Sequence, residues 1–417
     1  MSGAQAPSLR WTPVWIVALV AAWPLPVVAQ ALLSVGALVG LCWLLWRRSR
    51  GGGAVLSGPA WALTGVLFCA YWLPEVIAAV DAETARSAWR WVALDLRLLP
   101  LLCLAAVAVA DDPRRRWLFA ALAALALAWT LDGLLAVAVG HSLLQDLYAN
   151  AGRLLAGLAT LMPGVATDAS HGIGALGSPG HWLTLACLSP FALDWAARRS
   201  VVAWWVAALV FVAGIALSNA PSAWIAFACV LVLELVRRFD RRRLLGVLVV
   251  VGFGAGLAWS NMSRAPEGGA VTVVQDLAET TAASWRESRC LMRTHPINGV
   301  GVGAMVSGSS DCAPDSGSDA GSNGLRLLLE LPAETGLIGV LLWLAGAALA
   351  WRAWRYADTG ARMRAWPALQ ALAAMLVPFN ASPPVYAGVW GSAVLLMAGL
   401  YAGALWGRLD PEPAPQS

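Results

Sequence analysis

The sequence predicts an all-α integral membrane protein with about twelve transmembrane helices, and three observations lead there. Fifty-nine per cent of the 417 residues are hydrophobic and only 12% are charged, against about a quarter charged in a typical soluble domain. The mean hydropathy is +0.67. Apolar runs long enough to cross about 30 Å of hydrocarbon as helix recur along the whole chain. They place spans at 13–29, 31–46, 60–80, 88–110, 117–139, 181–197, 201–217, 220–236, 244–260, 335–352, 366–380 and 386–406.

Element by element, the first two runs form a hairpin. Arg10 followed by an apolar core and Val27-Val28-Ala29 has the outline of a cleavable signal, but the immediate passage into a second apolar run favours an uncleaved hairpin. Orientation follows from the basic residues. The chain contains no lysine, and 19 of its 28 basic residues fall in one set of connections: Arg10, Arg47, Arg48, Arg50, Arg114, Arg115, Arg116, Arg198, Arg199, Arg237, Arg238, Arg241, Arg242, Arg243, Arg352, Arg355, Arg362, Arg364 and Arg408. The positive-inside rule makes that set cytoplasmic. Both termini are then cytoplasmic, and segments 140–180 and 261–334 lie on the opposite face. The organisation is nine spans in 1–260 with an outer segment at 140–180, a large outer loop at 261–334, three spans in 335–408 and a cytoplasmic tail at 409–417. The net charge of +4 records this topology and gives no reason to expect nucleic acid.

Five of the seven cysteines, Cys42, Cys69, Cys103, Cys187 and Cys229, fall inside spans, where a small soft side chain packs. Cys290 and Cys312 share the large outer loop. An oxidising outer compartment permits their pairing, which closing about 22 residues would make worth roughly 3 kcal/mol; the alternative is two unrelated thiols. No CxxC and no histidine cluster with ligand spacing occurs, so no metal site is expected.

The outer segments carry nearly all the chemistry, and all four histidines, His141, His171, His181 and His295, are on that face or at its boundary. In the first, LLQDLYANAGRLLAGLATLM has apolar residues at helical spacing, which suits a helix on the membrane surface or a packing helix of the loop itself. The glycine-rich HGIGALGSPGHW follows it. In the second, a helix over 277–293 puts Arg286, Arg289 and Arg293 at spacings of three and four, on one face. Such guanidinium groups suit a diphosphate, whose oxygens they bind as planar forks; a solvated helix face is the alternative. His295-Pro296 stops the helix, because a residue before proline avoids the α region. Gly299, Gly301 and Gly303 let the backbone turn tightly or approach a ligand.

The stretch from Trp285 to Gly339, SWRESRCLMRTHPINGVGVGA and then SNGLRLLLELPAETGLIG, resembles the signature of the O-antigen ligase and O-antigen polymerase superfamily. Trp285, His295, Pro296, Gly299, Gly301, Gly303, Asn323, Ala333, Glu334, Gly336 and Gly339 fall in step with the family pattern. Ser322 stands where the family has a histidine before the asparagine, and Ala220 and Pro221 stand at a Ser-Arg pair. The resemblance covers 275–345 closely and 170–236 loosely.

It implies a C-type glycosyltransferase-like architecture whose large loop faces the periplasm, in the bacterial inner membrane. The implied activity is metal-independent, inverting transfer of a glycan from an undecaprenyl-diphosphate donor to an acceptor hydroxyl, without a cofactor. Lipid A core of lipopolysaccharide, a growing polysaccharide and a protein hydroxyl are all acceptors of the family. Arg286, Arg289, Arg293 and Arg326 are then the diphosphate ligands, His295 or Asp319 the base, and Gly299, Gly301, Gly303, Asn323 and Glu334 set the loop geometry. Two other readings stay open: an inactive relative that binds the lipid carrier or scaffolds a glycan-assembly complex, and a transporter. The last draws on the twelve spans and on Asp95 and Arg97 in the fourth; Glu75 and Asp81 lie towards the outer end of the third, and a charge at mid-membrane costs about 2.5–3.5 kcal/mol. Such groups face a cavity or pair between helices.

Overall fold

The computed structural model describes residues 10–51, 55–80, 82, 85–159, 178–218, 220–237, 241–263, 285–303, 312, 327–377, 384–386 and 388–407. Every regular element among them is helical: α1 (Thr12–Ala21), α2 (Pro26–Ser49), α3 (Gly58–Val80), α4 (Ala85–Asp95), α5 (Leu98–Ala108), α6 (Asp112–Val139), α7 (Leu143–Ala159), α8 (Pro179–Ala197), α9 (Val201–Leu217), α10 (Pro221–Arg237) and α11 (Arg241–Ser263). A short helix, α12, covers 285–294, and α13 (Leu327–Tyr356), α14 (Thr359–Met375) and α15 (Gly388–Trp406) complete the chain. Among the described residues, six segments are long and apolar enough to cross a membrane: α2, α3, Ala88–Ala108, α6, α13 and α15. That is the make-up of an α-helical membrane protein. Large apolar side chains such as Leu38, Val137, Val202, Val236 and Leu344 stand more than half exposed on helix flanks, where hydrocarbon rather than water suits them.

Two predicted spans are built differently. The run 13–29 does not form one helix: α1 has 10 residues, about 15 Å at 1.5 Å per residue, half of what a crossing needs. Pro24 and Pro26 bend the chain, because the residue before a proline avoids the α region, and Leu25 is held at φ −116°, ψ 82°. The run 88–110 is divided into α4 and α5. Pro100 is the cause, since a proline ring excludes the carbonyl four residues back, here that of Leu96. Tight three-residue bonds replace the helical ones, from Arg97 N–H to the Leu94 carbonyl and from Leu99 N–H to the Leu96 carbonyl, both 3.3 Å.

The core sits around α15, which is buried along its whole length. It lies against α5 because Gly399 and Gly403 present no side chain there. A Cβ on Gly399 would fall 2.6 Å from the Leu102 carbonyl oxygen, and one on Gly403 would fall 2.2 Å from that of Ala106. This is the small-residue spacing by which membrane helices approach closely. On the other side α6, α8, α9, α10 and α14 pack together. There the Trp182 ring fills notches left by Gly133 and Gly214, whose Cβ atoms would meet it at 2.7 and 2.4 Å. At the arginine-rich end Asp194 receives Arg198 at 2.6 Å and Arg237 at 3.4 Å, tying α8 to α10.

The amphipathic stretch expected after 140 is α7. Its start is fixed by Asp132, whose Oδ1 accepts from the N–H groups of Leu143 and Leu144 at 3.0 and 3.2 Å. Tyr148 donates to the Ala21 carbonyl at 2.7 Å, so α7 packs against the chain itself.

Candidate functional site

The site is built where the glycine-rich loop after α12 meets a break in α13. The loop 295–303 carries three glycines in the left-handed region, Gly299 (φ 72°), Gly301 (φ 100°) and Gly303 (φ 80°), which side chains rarely adopt. Helix α13 is interrupted at Gly336, with φ 64° and ψ −168°, a region essentially reserved for glycine. A broken helix leaves carbonyls unpaired before the break and N–H groups unpaired after it. The loop supplies partners for both. Val300 and Gly301 N–H groups donate to the carbonyls of Ala333 and Glu334, each at 3.1 Å. Leu337 and Ile338 N–H groups donate to the carbonyls of Pro296 and Ile297, at 3.0 and 3.3 Å.

This clasp requires two backbones to touch. A Cβ on Gly336 would fall 2.2 Å from the Ile297 carbonyl oxygen, and one on Gly299 would fall 2.2 Å from that of Glu334. Glu334 adds a side-chain bond, its Oε1 accepting from Gly303 N–H at 3.1 Å. Glu334 is therefore buried inside the clasp, with its side chain on the loop. Gly301 lies at the end of α3, with the Ala82 Cβ just beyond that helix 2.8 Å from where its own would be and the Ala78 carbonyl oxygen at 3.9 Å.

Helix α12 rides on the clasp. Leu291 packs with Val300, Ala333 and the half-buried Cys312, and Cys290 is joined to Cys312 by a disulfide with the Cα atoms 5.9 Å apart. With Ser288 and Leu291 turned inward, Arg286, Arg289 and Arg293 stand on the exposed face. His295 ends the helix half-buried; its N–H donates to the Leu291 carbonyl and its carbonyl accepts from Gly299 N–H. Non-reducing peptide mapping should recover residues 290 and 312 in one cross-linked species, whereas alkylation of both thiols without reductant would contradict the bond. Asp319, Asn323 and Arg326, together with Ser322, lie outside the described residues. Pro221 opens α10 at its first position, where a missing N–H costs nothing.

Beneath the clasp lies a group of carboxyls that hydropathy alone does not bring together. Glu75 of α3 is 1% exposed, Asp95 of α4 is 1% exposed, and Glu330 and Glu334 of α13 are fully buried. Glu75 is within electrostatic range of Asp95 and Glu334. Tyr71 hydroxyl lies 3.1 Å from Asp95 Oδ2 and 3.2 Å from the Val385 carbonyl oxygen. Val385 N–H donates to Glu330 Oε1 at 2.6 Å, and Trp343 Nε1 donates to the Tyr386 hydroxyl at 3.0 Å. Arg97, two residues beyond Asp95, donates through its guanidinium to Gln30 and Ser34, at 2.5 and 3.0 Å. Among the described residues no three histidine, cysteine, aspartate or glutamate side chains are placed to hold a metal ion.

No protein-family model matches the chain, and no curated protein matches it.

Proposed function

We propose that this protein transfers a glycan from an undecaprenyl-diphosphate donor to an acceptor hydroxyl at the periplasmic face of a bacterial inner membrane. The observation that carries the reading is the clasp. It joins the His-Pro-(x)-glycine stretch to the Ala-Glu-(x)-Gly turn, the two segments that resemble the O-antigen ligase and polymerase signature, and it carries three arginines on the exposed face of the helix above. In this reading the chain crosses the membrane about twelve times with both termini in the cytoplasm, and the loop 261–334 is periplasmic.

The chemistry follows from charge. The acceptor oxygen attacks the anomeric carbon, the bond from that carbon to the carrier's phosphate oxygen breaks, and the diphosphate leaves with the electron pair. Arg286, Arg289 and Arg293, with Arg326, offset the growing negative charge, and His295 or Asp319 takes the proton of the acceptor hydroxyl. Purified protein in nanodiscs, given a polyprenyl-diphosphate-linked oligosaccharide and candidate acceptors, should bind the donor and release free polyprenyl diphosphate. Absence of donor binding would refute the proposal.

A second reading is favoured by Ser322 and Pro221, which replace the family's histidine and arginine: a carrier-binding protein without transfer activity. Donor binding with no diphosphate release in the presence of every acceptor class selects it. Orientation has its own test. A reporter active only in the periplasm should be on when fused after Ser318 and off after Asp240, by the distribution of arginines; the reverse pattern would put the clasp on the cytoplasmic side and remove the reading.

A further inference from the structure

Two broken helices converge on one buried acid. Helix α4 ends at Asp95 where Pro100 interrupts the span, α13 breaks at Gly336 just after Glu334, and both pack on α3, which carries Glu75. Both carboxyl oxygens of Glu75 are buried without a hydrogen-bond partner among the described residues. Its electrostatic neighbours are Asp95 and Glu334, both acidic. Among the described residues, Tyr71 on its own helix, Glu330 on α13, Tyr386 before α15 and Arg97, which donates to Gln30 and Ser34, are the further titratable or charged groups around it. An ionised carboxylate stripped of water, without a donor and beside two other acids, is strongly disfavoured. The smallest species that relieves it is a proton, which needs no coordination shell; among the described residues no three acid, histidine or cysteine side chains are placed to hold a metal.

We infer that Glu75 is the centre of a proton-binding site set between the two helix breaks. The site stands apart from glycan transfer, and it survives if that reading fails. Intramembrane acids at broken helices are where membrane proteins bind protons and ions. Here the bound proton has a defined structural neighbour. It removes a charge from beside Glu334, leaving that side chain to hold the Gly303 N–H at 3.1 Å. Loss of the proton would place a negative charge against the acid that holds the glycine loop, so occupancy of the site and stability of the clasp are linked.

The test is infrared spectroscopy of the full-length protein in nanodiscs at neutral pH, where solvent-exposed glutamates are ionised. The wild type should show a protonated carboxyl band that shifts when glutamate carries a 13C-labelled carboxyl group. Glu75→Gln should lose the intensity of one carboxyl. Glu75→Asp should keep a protonated band, now insensitive to labelled glutamate for that share of its intensity. A wild type without the glutamate band, or a Glu75→Gln protein with the band undiminished, overturns the proposal. If Glu75→Gln fails to fold, Glu75→Asp carries the assignment to residue 75, because only its share of the band moves from glutamate to aspartate, and a wild type without the glutamate band overturns the proposal whatever the variants do.

Discussion

Gly336→Ala should be among the most damaging single-methyl changes this chain can suffer. The backbone there stands at φ 64°, ψ −168°, a conformation costing a non-glycine residue about 1–3 kcal/mol. The new methyl would also fall 2.2 Å from the Ile297 carbonyl oxygen and 2.6 Å from Gly299 N, and an overpacked contact costs about 1–3 kcal/mol more. Neither side can yield cheaply, because both are backbone held by the four clasp bonds. The expected loss is about 2–6 kcal/mol, with the loop released from α13. Gly303→Ala supplies the comparison. Its φ is 80°, but the nearest atom to its Cβ is Trp91 Nε1 at 4.0 Å, so only the backbone term of about 1–2 kcal/mol remains. Unfolding in mild detergent, followed with protection of the 297–303 amides, separates the two. Equal effects at the two glycines would show that the close approach at Gly336 contributes nothing.

The helical character and the position of this loop were legible in the sequence, for definable reasons. Runs such as 201–217 and 220–236 correspond to helices with nearly the same bounds because their apolar composition is uninterrupted and Ser200 and Pro221 begin them. Residues 13–29 misled because hydropathy averages over Pro24 and Pro26, and 88–110 misled because Pro100 acts on a carbonyl four residues earlier. The arginine face of α12 followed from its spacing. The role of Glu334 was visible only as geometry to be set, not as the acceptor for Gly303. Glu75 and Asp95 were each visible as charges in apolar surroundings. Their meeting depends on two helix breaks placed side by side, a relation between distant segments that no local pattern carries. The prolines at 74 and 100 are the signal that could have drawn attention to it.

The largest functional effect is expected at Arg289. It is exposed at the middle of the α12 face, flanked by Arg286 and Arg293 at the next turns. The disulfide at Cys290 and the packing of Leu291 fix the helix that presents it. A diphosphate held by this face loses a charge-assisted bond in Arg289→Ala, worth about 1.5–3 kcal/mol, or roughly ten- to a hundredfold in affinity. Arg289→Lys should recover part of that, since an ammonium keeps the charge and loses the planar fork. Stability should barely move, because an exposed side chain away from the core usually changes it by less than about 0.5 kcal/mol. The decisive measurement is therefore the dissociation constant of undecaprenyl diphosphate for the wild-type and Arg289→Ala proteins in nanodiscs. The diphosphate-binding account predicts an affinity at least about tenfold weaker for the variant, and an unchanged affinity in a folded Arg289→Ala protein would contradict it.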